Sequence, residues 1–258
     1  MFPYLTIFGH ELPVYGVMAV LGLFAGIIYP RLAVGRSVSA DAELAVVWGA
    51  VGCFVGAKAL YILTALPEIY ANWDAILAQP GLFAAAYLSG GFVFYGGLYG
   101  AIAGAYIYCR ASLADFDAVA RLVLPIVPLI HGFGRIGCFC TGCCYGVESD
   151  ALGIAFQNSP VAPNGVRLLP VQLIEATAVF ALFIALASMY RRGFRGRSML
   201  GAYLASYSVV RFILEFFRGD AYRGFILSLS ISQVIAAVSV VFGIALLAHS
   251  GASNRRRA

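Results

Sequence analysis

Charge is what this sequence has least of. Only 11% of its 258 residues are Asp, Glu, Lys or Arg, where soluble domains carry about 25%. With 62% hydrophobic residues and a mean hydropathy of +0.88, no soluble fold of this length has the interior to hide its apolar surface. A soluble enzyme or binding module is excluded. The start of the chain lacks both a basic segment and a small-residue cleavage site ahead of the first apolar run. No cleavable signal peptide is read there, and that run is expected to stay as a membrane span. Acidic residues are outnumbered, giving a net charge of +5. The excess follows the connecting loops, which speaks for topology and contact with anionic lipid and against nucleic acid.

What the chain does have is apolar runs of the roughly 20 residues that a spanning helix needs. Seven are read, at about 12–32, 42–63, 81–109, 118–138, 171–190, 199–217 and 228–249. The expectation is an all-α polytopic membrane protein, one membrane domain over residues 1–258. Alternate connections hold Arg31, Arg36, Arg110, Arg121, Arg191, Arg192, Arg195, Arg197, Arg255, Arg256 and Arg257, while the opposite side holds Arg167, Arg218 and Arg223. This asymmetry places the N-terminus outside and the C-terminus in the cytoplasm of a bacterial inner membrane.

Lys58, Arg135 and Arg211 fall inside spans. An ionised side chain there costs at least about 2.5–3.5 kcal/mol and by default marks a functional cavity. Snorkelling from a helix end is the rival reading for Arg135. In the sixth span Tyr207, Arg211, Glu215 and Arg218 recur at spacings of four, four and three, one helical face. Arg211 and Glu215 can pair there as a structural ion pair. Arg218 would leave a surplus positive charge suited to a phosphate. In the fourth span His131, Arg135 and Cys138 share a face among glycines that permit close ligand approach. In the third, Gly96, Gly100 and Gly104 read as a packing stripe, and Gly90-Gly91 as a helix break just before Tyr95. The fifth opens with Pro170, followed by Gln172 and Glu175 on one face. They read as groups orienting the site or as a helix-start feature.

Cys138, Cys140, Cys143 and Cys144 crowd into seven residues. Three readings stay open: disulfides in an oxidising compartment, a metal site using Cys140 and Cys143 with Cys138 or His131, or a reactive Cys138 thiol activated by Arg135. Cys53 and Cys109 are isolated and read as core.

These residues resemble a known family. Gly134-Arg135-Ile136-Gly137, Phe139, Gly142 and Gly146 look like the signature of prolipoprotein diacylglyceryl transferases. In the same order come Tyr15-Gly16 with Met18, Lys58 with Tyr61, Gly90-Gly91 with Gly96-Gly97, Pro170 with Gln172-Leu173 and Glu175, then Tyr207, Arg211, Glu215 and Arg218. The resemblance implies seven spans, with residues 141–169 as a small external head between spans four and five. It implies transfer of diacylglyceryl from phosphatidylglycerol to the thiol of a lipobox cysteine in a prolipoprotein, releasing glycerol phosphate. Arg135 and Arg211 would stabilise the leaving phosphate, while Glu215, Tyr95 and Cys138 are candidates for handling the thiol's proton. Tyr15, Lys58, Tyr61, Gly146, Gln172, Tyr207 and Arg218 would contact substrate. Neither a cofactor nor a metal belongs to this expectation. The chain departs from the family pattern in having Cys138, Thr141 and Cys143 for Asn, Asn and Glu, Tyr95 for His, and Lys58 for Arg. The alternative is a non-catalytic, lipid-binding paralogue whose cysteines serve redox or metal chemistry.

Overall fold

The computed structural model describes residues 3–7, 10–34, 40–79, 81, 87, 91–219, 225–226 and 229–255. In chain order the elements are β1 (Tyr4–Ile7), β2 (His10–Pro13), α1 (Val14–Val34), α2 (Ala40–Ala71), α3 (Trp73–Ala78), α4 (Phe94–Ser112), α5 (Phe116–Val123) and α6 (Ile126–Thr141). They continue with β3 (Ile154–Ala155), β4 (Arg167–Leu168), α7 (Val171–Arg191), α8 (Gly196–Glu215), β5 (Phe225–Ile226), β6 (Leu229–Ser230) and α9 (Ile231–Arg255). The strands pair only as three short antiparallel hairpins, β1 with β2, β3 with β4 and β5 with β6. The architecture is helical.

Among the described residues, five helical stretches are long and apolar enough to cross a membrane: Val14–Ala33, Asp41–Ala71, Phe116–Thr141, Val171–Arg191 and Ile231–His249. They turn large apolar side chains outward, such as Phe24, Phe54, Ile184 and Val241. Such a surface is favourable against lipid and costly against water. Helices α4 and α8 have the length, at 19 and 20 residues, but Gly, Tyr and charged residues hold them below that apolarity.

Element ends depart from expectation for identifiable reasons. The third apolar run does not continue as one helix from residue 81. Gly91 adopts φ +75°, residues 91–93 are non-helical, and α4 begins at Phe94. Residues 82–86 and 88–90, Gly90 among them, lie outside the described set. The last helix starts at Ile231 rather than near 228. Ser230 Oγ accepts from the Gln233 N–H (3.2 Å) and Gln233 Oε1 from the Ser230 N–H (2.9 Å), a reciprocal cap that fixes the first turn.

Residues form two compact units, 1–38 with 120–258, and 39–119. In the first, α1 packs on α6, α6 on α7, α7 on α8 and α8 on α9. In the second, α2 packs on α4, and glycine decides how closely. A Cβ on Gly52 would overlap the Gly100 carbonyl, one on Gly56 the Gly96 carbonyl, and one on Gly104 the Trp48 carbonyl. The stripe at Gly96, Gly100 and Gly104 is thus a seam of backbone against backbone.

Residues 142–170 are largely non-helical and carry the β3–β4 hairpin. Phe156, Ala162 and Leu168 form a small core there, with Phe139, Tyr145 and Val166 packed against it. The segment is tied to the end of α8, since the Val147 N–H donates to Phe217 O (2.9 Å) and the Gly219 N–H to Tyr145 O (3.0 Å).

Candidate active site

The first unit gathers its ionisable residues around Glu175, one turn into α7. Glu175 is 3% exposed. Arg135 Nε of α6 lies 3.1 Å from Glu175 Oε2, and Arg211 Nη1 of α8 lies 3.6 Å from the same oxygen. The Tyr207 hydroxyl donates to Glu175 Oε1 at 3.0 Å. Three helices therefore meet at one carboxylate. The residue read from sequence as orienting or helix-starting is the hub.

The intra-helical spacings come out as expected. One turn along α8, Arg211 Nη2 meets Glu215 Oε2 at 2.7 Å. On α6, Arg135 Nε lies 3.2 Å from His131 Nε2, and the same ring nitrogen lies 3.6 Å from Glu175 Oε1. The His131 ring meets Tyr207 edge-on at 5.2 Å, and Tyr203 stacks on Tyr207 at 5.9 Å. These rings lock the phenol that holds Glu175. Arg218 needs a correction: α8 ends at Glu215, so Arg218 does not extend the helical face. It bridges to Gly146 instead and still reaches Glu215 Oε2 at 3.8 Å. Within this set, the three guanidiniums of Arg135, Arg211 and Arg218 stand against the two carboxylates of Glu175 and Glu215, one positive charge in surplus. An apolar crevice is lined by Val179, Leu182, Ser206, Tyr207 and Val210.

Gly146 is crowded, because a Cβ there would come 2.5 Å from Leu169 O and 2.9 Å from Phe217 O. Gln172 is buried, and its Nε2 donates to Cys143 O at 2.8 Å, fixing the cysteine turn rather than the carboxylates. Its Oε1 is buried without a hydrogen-bond partner among the described residues. Tyr15 lies with backbone and ring against Gly137, where an added Cβ would be 3.2 Å from both.

All six cysteines are unbridged. The thiols of Cys138, Cys143 and Cys144 lie within 4.8 Å of one another. Cys140 is not in this group. Two residues along a helix are 200° apart, so a site sharing Cys138 with Cys140 and Cys143 does not form. Hydrogen bonds from the Cys138 and Cys143 thiols hold the Cys144 pKa below the usual thiol range, with Arg135 and Arg218 acting in the same sense.

Lys58, Tyr61 and Tyr95 belong to the second unit. Lys58 Nζ donates to Tyr87 O at 3.0 Å and sits over the Tyr61 and Phe92 rings, at 5.1 and 4.7 Å from their centres. This cage of π-faces and a carbonyl accommodates an ammonium in an apolar span. The Tyr61 ring also occupies the space a Cβ on Gly91 would need. Tyr95 is 1% exposed, next to the start of α4.

Apolar helices around a buried guanidinium–carboxylate cluster define a multi-pass membrane protein with a polar working centre. Residues 3–249 match the family model for prolipoprotein diacylglyceryl transferase, and the chain belongs to that family. It is similar to the phosphatidylglycerol–prolipoprotein diacylglyceryl transferase of Clostridium tetani, 36% identical over 92% of this chain and 93% of the relative. It also resembles the second protein of that name from Clostridium perfringens, 32% identical over 93% and 91% of the two chains. A third relative of that name, from Methylococcus capsulatus, is 32% identical over 91% and 89%.

Proposed function

We propose that this protein transfers diacylglyceryl from phosphatidylglycerol to the thiol of a lipobox cysteine in a prolipoprotein, releasing glycerol phosphate. The observation that carries the reading is the Arg135–Glu175–Arg211–Glu215–Arg218 set beside an apolar crevice, four of its members buried and the half-buried Arg218 bringing one positive charge in surplus. Phosphatidylglycerol is an amphiphile with one negative charge, and its diester becomes a dianionic monoester as it leaves. Guanidiniums already fixed by Glu175 and Glu215 meet that developing charge without having to reorganise. The crevice that Tyr207 helps to line suits an acyl chain. In this reading Arg135 and Arg211 act on the phosphate, and Tyr15, Lys58, Tyr61, Gly146, Gln172, Tyr207 and Arg218 form the substrate site. Proton removal from the acceptor falls to Tyr95, Glu215 or Cys138. The test is incubation of purified protein with phosphatidylglycerol and a lipobox peptide. A peptide mass gain of one diacylglyceryl with equimolar glycerol phosphate is expected; neither product would end the proposal.

The topology belongs to the same reading. The chain is taken as one membrane domain of seven spans, α4 and α8 among them, in a bacterial inner membrane. The N-terminus and residues 141–169 face outside, and residues 191–197 and the C-terminal tail face the cytoplasm. Support comes from the asymmetry of basic residues. Asn164→Cys, in a background without other cysteines, is expected to react with an impermeant maleimide on intact spheroplasts, and Ser198→Cys to stay unlabelled. The reverse result overturns the orientation.

The second reading, a lipid-binding paralogue working through its cysteines, draws on the thiol cluster at Cys138, Cys143 and Cys144. Lipid retained by purified protein that transfers nothing would favour it.

A further inference from the structure

The fold sorts four neighbouring cysteines into three and one. Cys138 lies in the last turn of α6. Gly142 takes φ +80° and closes the helix, its N–H returning to Cys138 O (2.9 Å) and Phe139 O (3.2 Å), and the Cys143 N–H also returns to Cys138 O (3.1 Å). This helix-ending reversal folds the chain back over the turn it has just left. Cys144 then adopts φ 56°, a left-handed conformation that is strained for a non-glycine residue. The product of this geometry is the thiol triad within 4.8 Å. Gln172 pins it from α7 through the Cys143 carbonyl.

We propose that Cys138, Cys143 and Cys144 form a three-thiolate site for a zinc-like divalent ion, its fourth position open to the thiol of the acceptor cysteine. Zinc–sulfur bonds of about 2.3 Å put thiolates about 4 Å apart around one ion. The triad reaches that spacing by drawing in less than about 1 Å. Three protein ligands and a vacant fourth place are the hallmark of a working rather than a structural zinc site. Cys138 is buried while Cys143 and Cys144 are half-buried, so the fourth side is the one an incoming ligand can approach. The charges also balance: three thiolates and a divalent ion carry one net negative charge, beside a set with one positive charge in surplus.

This inference rests on the transferase reading and puts a bound ion in the place of its side-chain base. The acceptor must arrive as a thiolate, yet Cys138 and Cys143 occupy positions where the resembling family has Asn and Glu, and Tyr95 stands for His. A thiol coordinated to the ion gives up its proton to water. Its sulfur then forms the bond to the glyceryl carbon while the carbon–oxygen bond to phosphate breaks. The electron pair of that bond stays on the phosphate oxygen. A thiolate and a monoanionic lipid thus become a neutral thioether and dianionic glycerol phosphate. The thioether is the poorer ligand and leaves the ion.

Cobalt(II) reports on such a site through its absorption. Reduced, metal-stripped full-length protein is expected to bind one equivalent with a sulfur-to-metal charge-transfer band, displaced by zinc. Cys138→Ser, Cys143→Ser and Cys144→Ser should each weaken binding by about tenfold or more, while Cys140→Ser and Cys109→Ser leave it unchanged. A lipobox peptide should strengthen the band, and the same peptide with serine for cysteine should not. No stoichiometric binding, equal effects of Cys140→Ser and the triad replacements, or equal responses to the two peptides would overturn the site. Undiminished transfer by metal-free triple-serine protein would overturn its role and leave the transferase reading intact. A peptide-dependent band in protein that transfers nothing would instead sink the transferase reading and keep the site.

Discussion

The α2–α4 pair and the surroundings of Glu175 are both tightly packed, by opposite means. Between α2 and α4, Gly52, Gly56, Gly96 and Gly100 bring two backbones into contact, and this seam is held by dispersion between backbones rather than by pairing of charges. Around Glu175, four charged side chains (Arg135, Glu175, Arg211 and Glu215) are buried among apolar helices, with the half-buried Arg218 at their edge. Each carries a desolvation penalty of several kcal/mol, offset only by close pairing and hydrogen bonds. A fold that can close a helix pair with glycine has no structural need for the second arrangement. Where burial is expensive, chemistry is the reason to look for.

The sharpest way to break this comparison is Glu175→Gln. It keeps the shape and a hydrogen bond for Tyr207 but takes the carboxylate from Arg135 and leaves Arg211 only its Glu215 partner, and unfolding in detergent should show a loss of about 3–5 kcal/mol. A loss under about 1 kcal/mol would mean the cluster is well solvated. Next comes Arg211→Gln, expected to slow transfer by about 10²–10³-fold, equivalent to about 2.7–4 kcal/mol. Arg211→Lys should fall between it and the wild type, because charge remains but the planar fork is lost. If native mass spectrometry finds phosphatidylglycerol retention unchanged in both Arg135→Gln and Arg211→Gln, these residues do not hold the phosphate. On the packing side, Gly100→Ala pushes a methyl into the Gly52 carbonyl and should cost about 1–3 kcal/mol. Smallest is Gly134→Ala, where an added Cβ meets nothing within 4 Å. Its melting should stay within about 1 kcal/mol of wild type.

Legibility in the sequence stopped at the edge of each helix. Spacing along one helix gave the Arg211–Glu215 pair, the His131–Arg135 contact and the glycine seam, because a helix fixes which residues share a face. It could not rank Glu175. Nothing in the run from Pro170 to Glu175 says that two arginines and a tyrosine from other helices converge on that carboxylate. Cys140 was grouped with Cys143 by proximity in the chain, whereas the left-handed turn at Gly142 decides the partners and selects Cys138 and Cys144. Arg218 continued the spacing of α8, but the helix had ended, and the bridge to Gly146 carried it back to Glu215 by another route. The apolar pattern likewise located α4 and α8 without revealing why they are the least apolar of the long helices. Gly, Tyr and charged residues that serve packing or the site dilute it.

The first unit is interrupted in the chain: residues 1–38 belong with residues 120–258. Helix α1 packs against α6, which is synthesised roughly a hundred residues later. At ribosomal speeds of about 5–20 residues per second, α1 waits on the order of 5–20 s for its partner while α2 to α4 emerge. During that wait Gly22 and Gly26, which end against Phe133, Ile126 and Ile130, face whatever the nascent chain meets first. Assembly order is thus written into this fold: the helix made first waits for a partner that α2 to α4 precede in the chain.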